Sequence, residues 1–387
     1  MITPSELLPE DAADATLIAR VWDPEVRAAR VAVVRGDELV DLSAAVATVS
    51  DLLDAPDPVA LVRDADSERR WRVADVVDAS FSGAHDRPHL LAPVDLQVVK
   101  ACGVTFVDSM IERVIEERAG GDPGAAAAVR AEVSAAIGGD LASLKPGSEA
   151  ALEAKRVLQE RGIWSQYLEV GIGPDPEVFS KSPVLASVGT GADIGVPEFS
   201  AWNNPEPELV LSVNSRAEVR GVMLGNDVNL RDVEGRSALL LGRAKDNNAS
   251  SALGPFLRLF DERFTIESVR DEEITLRVEG EDGYVMTGVN SVARISRPFE
   301  ELVDSTIGEH HQYPDGLVLF TGTLFAPTAD RAEPGLGFTH EYGDVVTIRS
   351  RHLGALQNTV RRMSELDPWT VGLREFMSGQ QRIAAAG

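Results

Sequence analysis

From Ser182 onward the chain is a string of short aliphatic runs, and this texture constrains the fold more than any other feature. LVLSV at 209–213, ITLRV at 274–278, LVLF at 317–320 and DVVTIR at 344–349 are separated by turn residues and read as strands. Helical signal returns at Leu253–Phe264 and around Phe299–Ile307. Strands far outnumber alternating βαβ units, so a mixed, β-rich α+β body is expected rather than a doubly wound sheet.

The first part of the chain differs. Residues 16–35 hold two β-rich stretches around a turn at Asp23–Pro24, and Val46–Leu53 and Val73–Ala79 add short apolar segments. A small β-containing N-terminal domain over 1–92 is expected, ending near Leu90–Pro93. The main domain would then span 93–387. Within it, Met110, Ile111, Val114 and Ile115 recur at helical spacing in Val107–Arg118, with Asp108 or Ser109 as cap. Residues 119–163 are rich in Ala, Glu and Arg and broken at GGDPG and KPG, which reads as a helical insertion packed on the body.

The chain has 387 residues, with 37 Lys plus Arg against 62 Asp plus Glu, a net charge of −25. With no long basic run, this balance argues against nucleic acid or an anionic membrane as partner. No apolar run reaches the ~20 residues that span a bilayer, and the acidic start, MITPSELLPEDAAD, is unlike a signal peptide. A cytoplasmic protein is expected. The lone cysteine, Cys102, reads as a small buried apolar residue. His310 and His311 are adjacent, so their side chains diverge, and they are assigned no role.

Chemistry concentrates between Trp202 and Phe256. Glu206 and Glu208 are two apart, so in an extended strand both carboxylates face the same way. Pro205 and Pro207 interleave them, which places the segment at a sheet edge or strand entrance rather than in a central strand. Paired carboxylates raise each other's pKa, and a hard divalent cation relieves the repulsion. Asp227 follows Gly225-Asn226, Arg231 lies four residues on, and Lys245 precedes Leu253-Gly254-Pro255. Thr321-Gly322-Thr323 and Gly343-Asp344 come later.

Taken together, E-x-E, N-D-x-x-x-R-D, a lysine before L-G-P, T-G-T and G-D-x-V resemble the fumarylacetoacetate hydrolase family. Gly103-Val104-Thr105-Phe106 resembles the segment that opens its catalytic domain. The resemblance implies a mixed β-roll, with Glu206, Glu208 and Asp227 as ligands of Mg²⁺ or Mn²⁺ and Lys245 as the active-site lysine. Thr323 matches a substrate-binding position. Arg231 matches an arginine near the metal, for which a structural salt bridge serves equally well, and Asn290 matches a further substrate position. A homodimer or homotetramer is the family expectation.

Hydrolases of this family activate water with a His–Glu dyad. Here no histidine lies between His89 and His310, so the expected lid histidine is missing. The P-E-P-E-L strand, and Ser109 with Arg113, look instead like the family's 2-keto-3-deoxy-sugar-acid dehydratases. The implied reaction converts a 2-keto-3-deoxy-pentonate, the D-xylonate derivative first, to 2-oxoglutarate semialdehyde and water in oxidative pentose catabolism. Lys245 would be the base or a charged binder, Glu112 or Glu116 the acid for the C4 hydroxyl, and Ser109 and Arg113 substrate contacts. The rival reading is a metal-dependent C–C hydrolase of acylpyruvates or 2,4-diketo sugar acids. A metal-binding relic without activity is a third, disfavoured by the complete Glu206/Glu208/Asp227/Lys245 set.

Overall fold

In the computed structural model, which describes residues 2–126, 128–130, 144–160, 162, 164–325, 327, 329–331 and 336–386, the aliphatic runs are strands. In chain order they are β1 (Leu17–Asp23), β2 (Ala28–Arg35), β3 (Glu38–Asp41), β4 (Arg70–Arg72), β5 (His89–Leu91), β6 (Val98–Gly103), β7 (Glu177–Ser182), β8 (Asp193–Val196) and β9 (Asn203–Asn204). They continue as β10 (Pro207–Val213), β11 (Val219–Asp227), β12 (Asn229–Leu230), β13 (Ser251–Leu259), β14 (Glu273–Glu279), β15 (Val285–Ser291), β16 (Leu317–Phe320), β17 (Val345–Ser350) and β18 (Gly354–Arg362).

An eleven-stranded sheet runs in the order β4-β3-β2-β1-β13-β11-β10-β16-β6-β7, with β5 added beside β1. Its pairs are antiparallel except β16 with β6. A five-stranded sheet, β15-β14-β17-β18-β8, packs against it, and β9 and β12 form a separate pair. The mixed α+β body agrees with the expectation.

The inner strands are covered on both faces. Leu209 and Leu211 belong to one apolar cluster with Leu224, Ile348 and Leu356. Val210, between them, belongs to another with Met223, Leu257 and Phe320. This is the period of two expected of a strand, and each such side chain contributes about 1.5–3 kcal/mol on burial. The second cluster also contains Ile18, Val31 and Val33. The N-terminal strands therefore continue the catalytic sheet through the β1–β13 pairing, and the break near Leu90–Pro93 divides the sequence but not the sheet. Arg20, buried in β1, strengthens the join by donating to the carbonyls of Ala92 and Val94.

Two sequence expectations change. Leu253–Phe264 is not helical: it falls mostly in β13, whose nine residues are all buried. A strand covered on both faces shows no alternation, so its apolar run resembles a buried helix. Secondly, Glu206, Pro207 and Glu208 stand at a strand entrance, one of the two placements expected, but the strand is a central one, since β10 lies between β11 and β16. Pro207 begins that strand, where a missing N–H is tolerated. The apolar segments of the N-terminal unit form the helices Val49–Asp54 and Val73–Ser82.

The helix Val107–Arg118 is present. It starts after Phe106 without a side-chain cap, and Ser109 donates back to the Phe106 carbonyl at 2.8 Å. Met110, Val114 and Ile115 pack with Leu158, Tyr167, Leu168 and Trp202. Of the insertion expected at 119–163, residues 131–143 lie outside the described residues; Glu149–Glu160 is a helix. No helix of the described residues is long and apolar enough to cross a membrane.

Candidate active site

The strand ends converge on one cavity. It is lined by Cys102, Gly103, Val104, Ser109, Arg113, Glu177, Phe179, Glu206, Glu208, Asp227, Glu234, Lys245 and Thr323, and its empty volume is about 300 Å³. Glu206 immediately precedes β10, Glu208 is its second residue, and β11, its antiparallel neighbour, ends at Asp227. Two bonds lock these ends together. The Glu206 N–H donates to Asn226 Oδ1 at 3.0 Å, and the Asp227 N–H donates to the Glu206 carbonyl at 3.0 Å.

The three carboxylates are buried, and one ligand oxygen of each lies within 4.8 Å of the others. Burial, with Asp227 and Glu206 nearby, pushes the Glu208 carboxyl well above the usual range. Burial likewise raises Glu206, although Lys245 and Arg113 oppose it. Burial works against ionised Asp227 too, but Lys181 and Lys245 hold its carboxyl below its ordinary value. Three buried carboxylates this close, two of them pushed up by burial and by one another, form an all-oxygen cluster that fits a hard divalent cation such as Mg²⁺ or Mn²⁺.

The T-G-T segment supports this cluster. Gly322 has φ +101°, and its N–H donates to Glu208 Oε2 at 2.7 Å. A Cβ there would stand 1.9 Å from Thr105 Oγ1, so only glycine brings the N–H this close. Thr105 Oγ1 donates to the Thr321 carbonyl at 2.6 Å, which ties the G-V-T-F segment to T-G-T. Val104 has φ +59°, a strained conformation for a β-branched residue, at the cavity wall.

Lys245 ends the short helix Leu241–Lys245 and is buried. Its Nζ donates to Asp227 Oδ2 at 2.9 Å and also to Glu206. Burial disfavours the ammonium, but Asp227, Glu206 and Glu234 outweigh it and hold Lys245 above its ordinary pKa. Before any cation binds, Lys245 is therefore charged. Arg113 reaches the cavity from the helix Val107–Arg118, donates to Glu206 and Glu116, and lies 3.1 Å from Glu234. Ser109 and Thr323 line the same cavity.

Four expected residues stand behind the cavity wall. Glu116 is buried between Arg113 and Arg231, with Arg231 Nε donating to it at 2.6 Å. Glu112 pairs with Arg130 at 2.6 Å and Arg231 at 3.2 Å. Neither acid lines the cavity, because the 3.6-residue period that brings Arg113 inward turns both toward Arg231. Arg231 is spent on these two acids, on the Pro327 carbonyl and on the Trp202 ring, 4.5 Å away. Asn290 donates to the Leu324 carbonyl, away from the cavity.

Beside the carboxylate triad, the acids that reach the cavity are Glu177 and Glu234. Burial, reinforced by Glu234, pushes the Glu177 carboxyl up to about 7. Gly103, its partner across β6–β7, makes room for it, since a Cβ at Gly103 would lie 1.9 Å from Glu177 Oε2. The sequence carried a signal for this strand: in E-V-F-S-K, Glu177, Phe179 and Lys181 alternate. Glu234, three residues after Arg231, had no comparable mark.

The model of the fumarylacetoacetate (FAA) hydrolase C-terminal domain matches residues 158–361, more than half of the chain. The chain belongs to that family. A probable 2-keto-3-deoxyxylonate dehydratase of Haloferax volcanii is 29% identical over 287 residues, covering 74% of this chain and 78% of the relative. A 2-dehydro-3-deoxy-D-arabinonate dehydratase of Saccharolobus solfataricus is 30% identical over 191 residues, 49% of this chain and 60% of the relative. A solved 2-keto-3-deoxy-D-arabinonate dehydratase, complexed with magnesium and 2,5-dioxopentanoate, superposes with a TM-score of 0.60. It is 21% identical, and the match covers 90% of this chain and 99% of that one, which shows a shared fold.

Proposed function

We propose that the protein is a metal-dependent dehydratase of a 2-keto-3-deoxy-pentonate, the D-xylonate derivative first, releasing water and 2-oxoglutarate semialdehyde (2,5-dioxopentanoate). The observation that carries this reading is a buried carboxylate triad facing Lys245 and a Glu177 carboxyl poised near neutrality, in one cavity. The two dehydratase relatives support the substrate class.

Glu206, Glu208 and Asp227 would hold Mg²⁺ or Mn²⁺, which would supply Lewis-acid polarisation of the substrate's 2-keto acid. Lys245, charged, stabilises the negative charge that grows on the C2 oxygen. Thr323, Ser109 and Arg113 orient the substrate. Glu177 moves the proton: as a carboxylate it takes a proton from C3, and as the acid so formed it gives that proton to the departing C4 hydroxyl. The C3–H and C4–O bonds break, a C3–C4 double bond forms, and one water leaves. The resulting enone loses a proton at C5 and gains one at C3, giving a C4–C5 enol, which then gains a proton at C4 and loses its hydroxyl proton to give the aldehyde with no redox change. A group with a pKa near 7 suits both halves of this transfer. Glu177 thus replaces Glu112 and Glu116 as the acid.

The reading extends to a cytoplasmic homo-oligomer, the assembly the family resemblance implies, which sedimentation velocity measures. The direct test is semialdehyde formation from 2-keto-3-deoxy-D-pentonate with Mg²⁺ and then with EDTA. Turnover that needs the metal and is lost in Glu208→Ala supports the reading. Metal-independent turnover refutes the assignment of the triad.

A further inference from the structure

Lys181 is the one lysine on the cavity-forming strand β7, and no step above uses it. It is fully buried. Its Nζ lies 2.8 Å from Asp227 Oδ1, 3.1 Å from the Val228 carbonyl and 3.2 Å from Ser250 Oγ, and also donates to the Lys245 carbonyl. Ser250 Oγ donates to that same Lys245 carbonyl at 2.8 Å. The strand delivers the side chain through an irregularity. Val99 pairs with Ser182 and Lys100 with Ser180, so Lys181 is the extra residue of a bulge. Bulges beside active sites re-aim a side chain.

We propose that Lys181 is a positioning residue that fixes the third metal ligand, Asp227, and the main chain of Lys245 together. The proposal rests on the metal-site reading above. Burying an ammonium costs several kcal/mol, and an apolar side chain would fill the slot without that cost. What the ammonium adds is direction. It pairs with Asp227 Oδ1, which leaves Oδ2 to accept from Lys245. Its bond to the Lys245 carbonyl holds the end of the Leu241–Lys245 helix, from which the Lys245 side chain starts.

A mere counterion makes the opposite prediction. A cation touching a metal ligand repels a second cation, so removing only charge would tighten metal binding. Removing a positioning residue loosens it, by about 10–100-fold where such outer partners have been replaced.

The test is calorimetric titration of the metal-free protein with Mn²⁺, followed by kinetics at saturating Mn²⁺, for wild type, Lys181→Met, Ser250→Ala and Glu208→Ala. Lys181→Met is expected to weaken Mn²⁺ at least tenfold and to leave kcat at least tenfold down when the metal is saturating. Ser250→Ala, which touches the Lys245 carbonyl but not Asp227, is expected to lower kcat severalfold with Mn²⁺ affinity unchanged. Unchanged or tighter Mn²⁺ binding in Lys181→Met, or wild-type kcat once the metal saturates, overturns the proposal. If Lys181→Met does not fold, Ser250→Ala decides, and wild-type kcat in it is the refuting result. Wild type that fails to bind Mn²⁺, or Glu208→Ala that binds it normally, overturns the metal-site reading and this proposal with it.

Discussion

Replacing Glu177 by Gln should make the metal-free protein more stable at alkaline pH while removing most of its activity. Burial and Glu234 push the Glu177 carboxyl from the usual 4.5 up to about 7. In the unfolded chain it ionises near 4.5. Between these values the folded state holds a proton that the unfolded state has lost. The stability associated with this raised pKa is fully present below about pH 4.5, falls as pH rises, and is gone above about pH 7. At about 1.4 kcal/mol per pH unit across that window, the loss amounts to about 3 kcal/mol. Gln cannot ionise and shows no such loss. Urea denaturation in EDTA at half-unit steps from pH 5 to 8 gives both stabilities. The difference between Glu177→Gln and wild type should move toward the variant by about 1.4 kcal/mol per unit up to pH 7, then level off. At saturating Mg²⁺ the same variant should lose about 10²–10⁴ in kcat, the usual scale for a proton-transfer group. A stability difference independent of pH would show that the carboxyl is not held protonated, and the argument for its proton-transfer role would fall with it.

Other substitutions test the supporting geometry. Gly103→Ala puts a Cβ where Glu177 Oε2 now lies, so kcat should fall at least tenfold while circular dichroism is unchanged. Gly322→Ala strains a φ of +101° and displaces Thr105, and the thermal midpoint of the metal-free protein should drop by several degrees, reflecting about 1–3 kcal/mol. Glu112→Gln, which disturbs a half-exposed pair with Arg130 behind the cavity, should keep kcat within about tenfold of wild type, whereas loss of a catalytic acid costs about 10² or more.

The carboxylate cluster was legible because its signal is local. Glu206 and Glu208 are two apart where the extended chain enters β10, and Asp227 sits at the end of the neighbouring strand. The helix Val107–Arg118 was equally legible from its apolar spacing. Glu112 and Glu116 lie behind the cavity wall for a physical reason. Helical spacing groups Glu112 with Glu116, but it does not say which partner that face meets; here it meets Arg231, which comes 115 residues after Glu116. Glu177 acquires its raised pKa from burial and the charge of Glu234, and both are consequences of the tertiary fold. The buried strand β13 was read as a helix because covering both faces erases the alternation that marks a strand.

The central claim is dehydration rather than hydrolysis at this cavity. The most direct measurement is ¹H NMR of the product formed from 2-keto-3-deoxy-D-pentonate in D₂O with Mg²⁺, beside an acylpyruvate under the same conditions. Dehydration gives 2-oxoglutarate semialdehyde carrying solvent deuterium at C3 and C4, with no cleavage of the acylpyruvate and with loss of the signal in EDTA or in Glu208→Ala. Cleavage of the acylpyruvate to pyruvate and a carboxylic acid, with the sugar acid untouched, would contradict it.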